Sequence, residues 1–303
     1  MLNATHNRYF PGGVTVNPLE NFSREHTVKL HNAVSAQELG IGDYEGKRVS
    51  VSASTMEHLQ LAQETLRKVK MLLPYGAGNQ KVEMVYTNGE SSARSLMHRE
   101  RSSANAPIPN ASQAARYQAG NCEEHADIAY ALLAQNRINA PVLHVGDSDW
   151  EHKYILIGDP RDQTWGEKNT VVVDPWVRYP AAVTLEQASR RNPYPEPEYQ
   201  RARNASPLTG AQALNSIRHV TTGEVSHYLA EIELPSLGDD FLEWFSQSEV
   251  ASETFDEKTA AKDPSTRYSS NLFNARSMDD IAQATVSRQR AAQQAWNNSP
   301  YRW

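Results

Sequence analysis

The single cysteine, Cys122, stands in the run Gly120-Asn121-Cys122-Glu123-Glu124-His125, where a polar turn gives way to an apolar helical pattern of Ala126, Ile128, Ala129, Leu132 and Leu133. A sulfur at the first turn of a helix faces unpaired backbone N–H groups and the positive end of the dipole. Both favour negative charge there, and the same N–H groups suit an oxyanion. Gly120 gives the chain room to turn, and Asn121 is a good N-cap. Glu123 and Glu124 work in the opposite direction, because nearby carboxylates disfavour another negative charge; a cationic partner is required to offset them. A free cysteine is also a common small core hydrophobe, so its partners must decide between the two roles.

Two partners lie downstream. Residues 153–157 and 170–173 read as strands joined through the turn-rich Gly158-Asp159-Pro160-Arg161-Asp162. In an antiparallel pair, residues flanking the turn symmetrically face one another, which brings His152 and Asp174 to the same open end. Asp159 lies at the other end, roughly 20 Å away at about 3.3 Å per residue. A carboxylate beside an imidazole fixes its tautomer and stabilises its cation, as a Cys–His nucleophile requires. His125, one helical turn from Cys122, is the rival base, but it points along the helix rather than across a cleft. Cys122-x-x-His125 is half of a zinc pattern with no second cysteine or clustered histidine pair to complete it, so neither metal nor cofactor is expected. His144 and His227 fall in strand-like patterns and read as structural or surface residues. No Gly-x-Ser-x-Gly, P-loop or Gly-x-Gly-x-x-Gly occurs.

The elements that must position these residues can be outlined from pattern alone. Residues 1–26 are polar and rich in Pro and Gly, and read as a flexible leader. Short β-like runs follow at 27–30 and 48–53. Ser54-x-x-Glu57 looks like a capping box opening a helix with an apolar stripe of Met56, Leu59, Leu66, Val69 and Leu73, stopped by Pro74 and Gly76. Residues 82–86 alternate like a strand, and 91–113 read as a short helix followed by a loop. The helix at 123–135 is apolar on most faces, hence buried. A strand at 142–145 precedes the 153–157 and 170–173 pair. The run Pro193-Tyr194-Pro195-Glu196-Pro197 excludes regular helix, and the arginine- and tyrosine-containing stretch 190–203 reads as an exposed loop or a docking segment. Residues 227–234 alternate as a strand, 241–245 begin a helix, and a last helical run covers 278–296.

With 303 residues and a net charge of -6, the chain lacks the cationic excess of a nucleic-acid binder. No apolar run approaches the roughly 20 residues that span a bilayer. The opening residues lack the basic and apolar regions of a Sec-type signal. A lone cysteine forms no internal disulfide, which fits a cytoplasmic or other reducing compartment.

The run Gly120-Asn121-Cys122-Glu123-Glu124-His125-Ala126, followed by Leu132-Leu133, Ile138-Asn139-Ala140, His152 and Val171-Val172-Val173-Asp174-Pro175-Trp176, resembles the transglutaminase-like superfamily. That pattern is a Gly-x-Cys-x-x-aromatic-Ala helix, a histidine on one strand and Val-Asp-Pro on the next. The resemblance implies an α+β, papain-like core in which Cys122 is the nucleophile, His152 the base and Asp174 the orienting acid. Tyr154 and Trp176 become possible substrate or partner contacts, and Gln118 is the candidate oxyanion-stabilising side chain upstream of the thiol. His152-Lys153-Tyr154 departs from the family's usual His-Ala-Trp, and His125 takes a position that is usually aromatic.

The expected organisation is a catalytic domain over 27–235 and a helical, polar extension over 236–303. The implied activity is thiol-dependent hydrolysis of a protein substrate, glutamine deamidation first and peptide cleavage second. The flavour of bacterial effectors makes a host protein the implied partner, reached by secretion without a Sec signal. A non-catalytic binding protein retaining the fold is the contrasting class.

Overall fold

The computed structural model describes residues 27–147, 151–190, 192–208, 214, 217–301 and 303, so the leader expected over 1–26 lies outside the described residues. The first elements are β1 (Thr27–Lys29), the helical turns α1 (Leu30–Ala33) and α2 (Ala36–Leu39), β2 (Arg48–Ser50) and the long α3 (Ala53–Leu72). The cap of α3 is Ser52, whose side chain accepts from Thr55 N–H, two residues earlier than the Ser54 box. Next come β3 (Gly76–Ala77), α4 (Lys81–Tyr86), α5 (Glu90–Arg101), α6 (Pro107–Tyr117), β4 (Ala119–Gly120) and α7 (Cys122–Ala134). Two expectations are corrected here. Residues 82–86 are helical rather than a strand, with Val82, Glu83, Met84 and Val85 all buried, so alternation was not marking one wet face. The expected loop before Gln113 is α6, because Pro107 occupies the first turn, where a missing N–H is no loss.

The central strands β5 (Val142–Asp147), β6 (His152–Ile157), β7 (Val171–Val173), β8 (Val183–Thr184) and β9 (Pro197–Arg201) form an antiparallel sheet in the order β8-β7-β6-β5-β9, with the turn α8 (Gly166–Asn169) between β6 and β7. Alternation gives the sheet two apolar faces. Ile155, Ile157, Val171 and Val173 pack with Met56, Leu59 and Leu66 of α3 and with Ala126, Ile128 and Ala129 of α7. Tyr154, Leu156 and Val172 face Val183, Leu185 and Ala261. Each large aliphatic side chain sealed this way contributes about 1.5–3 kcal/mol.

Beyond the sheet lie α9 (Thr222–Glu231), α10 (Asp239–Gln247), β10 (Arg267–Ser270), β11 (Phe273–Ser277), β12 (Asp280–Ala282) and α11 (Gln283–Asn298). The strand expected over 227–234 is therefore the end of helix α9 and the turn after it: Thr221 and Glu224 form a reciprocal capping box that starts α9. The segment expected to be helical after residue 236 also supplies three strands. One of them, β12, pairs with β1, and β10 lies parallel to β2. The molecule is mixed α+β. Among the described residues no helix is long and apolar enough to cross a membrane.

Candidate active site

Cys122 opens α7, part-exposed, and packs against the buried cluster of Ala77, Trp176 and Val177. The turn before it is tight: a Cβ on Gly120 would collide with the Glu124 side chain. Glu124 accepts the Asn121 N–H at 2.5 Å through its Oε2. Its other oxygen sits 3.5 Å from His98 Nδ1 and 3.6 Å from Arg99 Nε. Burial raises the Glu124 carboxyl, but these partners prevail and hold it down at about 2. Glu123 takes the Lys153 ammonium at 2.9 Å. Each glutamate that opposed a negative sulfur is thus matched to cationic or N–H donors.

His152 begins β6. The register sets Ile155 opposite Val173, so Asp174 falls opposite Tyr154 and His152 reaches it diagonally. Diagonal neighbours are about 7–8 Å apart, a gap that an imidazole and a carboxylate together close. His152 Nε2 lies 2.8 Å from Asp174 Oδ2, and the Trp176 backbone N–H donates to Asp174 Oδ1 at 3.2 Å. With Nε2 committed, Nδ1 is the ring nitrogen left for the thiol. Tyr154 stacks on one side of the ring at 5.7 Å and Trp176 tilts against it at 4.9 Å, both buried. Burial alone would discourage a charged His152. The Asp174 carboxylate and its hydrogen bond, joined by the nearby Cys122 sulfur, outweigh that and raise the imidazole to about 10. Asp174 is lowered in turn by His152, against the effect of its own burial. Both shifts favour the imidazolium–carboxylate form of the pair.

His125 is placed differently. It is fully buried, its Nδ1 hydrogen-bonds the Asn121 carbonyl at 2.8 Å, and its Nε2 meets no partner. Burial, aided by the Lys70 charge, lowers it to about 4, so it is a neutral packing group. Gln118 caps α6 in the left-handed region at φ 62° and receives the Tyr75 N–H on its carbonyl at 3.2 Å. No hydrogen bond connects its side chain to the thiol or to His152.

Residues that pattern alone did not single out surround this core. Asn79 accepts the Trp176 indole N–H at 3.0 Å. Farther in, Glu83 receives Ala77 N–H at 2.6 Å, Arg288 at 2.5 Å and Gln289 at 2.7 Å. Lys70 lies close enough to feel Glu83 and Asp174, and burial brings its ammonium down to about 8. A polar side chain read in isolation gives no such signal; only Glu83, too acidic for an apolar helix interior, marks the place. Arg190 and Glu257 stand at the mouth of a cleft whose floor is His152, Tyr154 and Asp174. Among the described residues no group of three His, Cys, Asp or Glu side chains converges as a metal cage.

No family model, curated protein or solved structure matches the chain. The site's chemistry must be argued from its geometry.

Proposed function

We propose that the chain is a thiol-dependent acyl-transfer hydrolase with a transglutaminase-like, papain-like core, acting on carboxamides of a protein substrate, glutamine deamidation before peptide cleavage. The observation that carries this reading is the convergence of three side chains: Asp174 on Nε2 of His152, and the Cys122 sulfur near enough to the same ring to favour its cation. A ring that is cationic at rest acts first as an acid. The Cys122 sulfur attacks the carboxamide carbon, a C–S bond forms and the carbonyl π pair moves onto oxygen. As the C–N bond breaks, the His152 imidazolium gives its proton to the departing ammonia. Water then attacks the thioester and passes a proton to His152, the C–S bond breaks, and free carboxylic acid leaves. Asp174 keeps the ring aimed throughout.

The test uses casein as a generic glutamine-rich substrate, followed by mass spectrometry and ammonia release, with Cys122→Ala as control. Deamidation adds about 1 Da per glutamine through a thioester intermediate. New chain termini would instead favour the protease reading. A wild-type thiol inert to iodoacetamide, with Cys122→Ala retaining full biological effect, would replace the enzyme with a binding protein.

A further inference from the structure

β3 and β4 are parallel partners, Gly76 opposite Ala119 and Ala77 opposite Gly120, and the Gly78 N–H continues toward the Gly120 carbonyl at 3.4 Å. The ladder ends there, Asn79 directly after Gly78 and Cys122 two residues after Gly120, and both Asn79 and Cys122 meet Trp176: Asn79 through the indole N–H, Cys122 by packing against it. The backbone of Asn79 is pinned from its other side as well: its carbonyl accepts Phe255 N–H at 2.9 Å, and Lys81 N–H returns to the Phe255 carbonyl at 2.9 Å. Its side chain is oriented by chemistry. An indole N–H only donates, so the atom that Trp176 Nε1 meets at 3.0 Å is the amide oxygen, and the NH2 group is turned away from Trp176. No described residue accepts from that NH2, and Asn79, like Cys122, is part-exposed. Trp176 in turn lies 4.9 Å from the His152 ring.

We infer that Asn79 is a catalytic residue of the same reaction: its Nδ2–H donates to the oxyanion that forms when the Cys122 sulfur adds to a carbonyl, beside the Cys122 backbone N–H, with Trp176 holding the amide in the donating orientation. This assignment rests on the acyl-transfer reading. Such a donor is effective because it is fixed before charge develops, so no reorganisation is needed as the carbonyl oxygen becomes negative. The clasp between residues 76–81 and 255–257 supplies that fixing, including the Gln80 side chain, which accepts Glu257 N–H at 3.0 Å.

The experiment compares two reactions of the same thiol in the full chain. Acylation by p-nitrophenyl acetate passes through an oxyanion: sulfur adds, the carbonyl pair moves to oxygen, and collapse expels p-nitrophenolate. Alkylation by iodoacetamide displaces iodide at a saturated carbon and forms none. Asn79→Ala and Asn79→Asp should each cut acylation on the order of 10²–10³-fold. Both should leave alkylation within about twofold, since the displacement needs no oxyanion donor. Asn79→Asp keeps the acceptor for Trp176, and its thermal melt should match wild type; if its acylation also matched, Asn79 would be only a structural prop and the inference would fall. Parallel loss of alkylation in both variants would also overturn it, by showing a disturbed thiol. Wild-type enzyme that alkylates but never acylates would remove the acyl-transfer reading itself, an outcome distinct from the other two.

Discussion

The central sheet carries two buried aspartate–histidine pairs that are near copies of one another. His152 on β6 sits 2.8 Å from Asp174, and His144 on β5 sits 2.8 Å from Asp127. Each carboxylate has a second donor: Trp176 N–H for Asp174, and Asn110 Nδ2 at 2.5 Å for Asp127. Each ring lies between two aromatics, Tyr154 and Trp176 in one case, Tyr130 and Tyr199 in the other. The difference is at the remaining ring nitrogen. The Cys122 sulfur lies near the His152 ring; at His144, Nδ1 has no hydrogen bond among the described residues, and Glu198 lies at 3.5 Å. An oriented imidazole is a common structural device. What it orients toward makes it chemical.

Four measurements sharpen or break this contrast. The largest effect should come from the histidines themselves: His152→Ala should slow thioester formation on the order of 10⁴-fold or more, because triad members act as a unit. His144→Ala should leave that rate nearly unchanged yet destabilise the fold by about 3–5 kcal/mol, since Asp127 loses its buried partner. Equal loss of rate in the two, at matched stability, would mean that the second pair also serves the site. Asp174→Asn should follow, approaching the roughly 10⁴-fold loss that misorienting a triad histidine brings, while Asp127→Asn should spare the rate.

Stability against pH comes third. Folded His152 is raised to about 10 from an ordinary value near 6.5. The stabilisation from that raised group is fully present below about 6.5 and fades as pH rises toward 10. The lowered Asp174 contributes above its ordinary carboxylate range and loses that contribution on acidification. The melting-temperature gap between wild type and His152→Ala should therefore be widest near pH 5–6.5 and narrow by pH 10; a gap that widened with alkali would contradict an imidazolium. The smallest effect belongs to Lys153, which bridges Glu123 and Glu198 at 2.9 and 3.0 Å in partial solvent. Lys153→Ala should change stability by no more than about 1 kcal/mol, as exposed pairs do, and denaturant titration would register more if the bridge held α7 to the sheet edge.

The helix start at Cys122 and the pairing of His152 with Asp174 were legible in the sequence, for a physical reason. Cys122, His152 and Asp174 sit at element boundaries that short-range signals mark well: an N-cap with a following apolar helix, and two strands around a turn-rich segment. The diagonal offset of His152 and Asp174 was not legible, since turn residues between β6 and β7 do not fix register to a single position. Helices were missed where composition disguised them. In α4, Val82 and Met84 alternate with polar neighbours, and only the Arg288 and Gln289 partners of Glu83, 205 and 206 residues distant in sequence, explain why a glutamate is buried there. The box of Thr221 and Glu224 marks the start of α9 and is a stronger local signal than the alternation after His227. Asn79 carried no signal, because its role depends on a two-residue parallel ladder with β4.

The clasp of residues 79–81 on 255–257 also has a consequence for synthesis. Its two halves are 176 residues apart in sequence at the Asn79–Phe255 contact. A ribosome adding roughly 5–20 residues per second takes many seconds to cover such a separation. During that interval Cys122, His152 and Asp174 are all made, but residues 79–81 have nothing to close upon. In a growing chain the surroundings of Cys122 are therefore incomplete until the segment at Phe255 has emerged and docked.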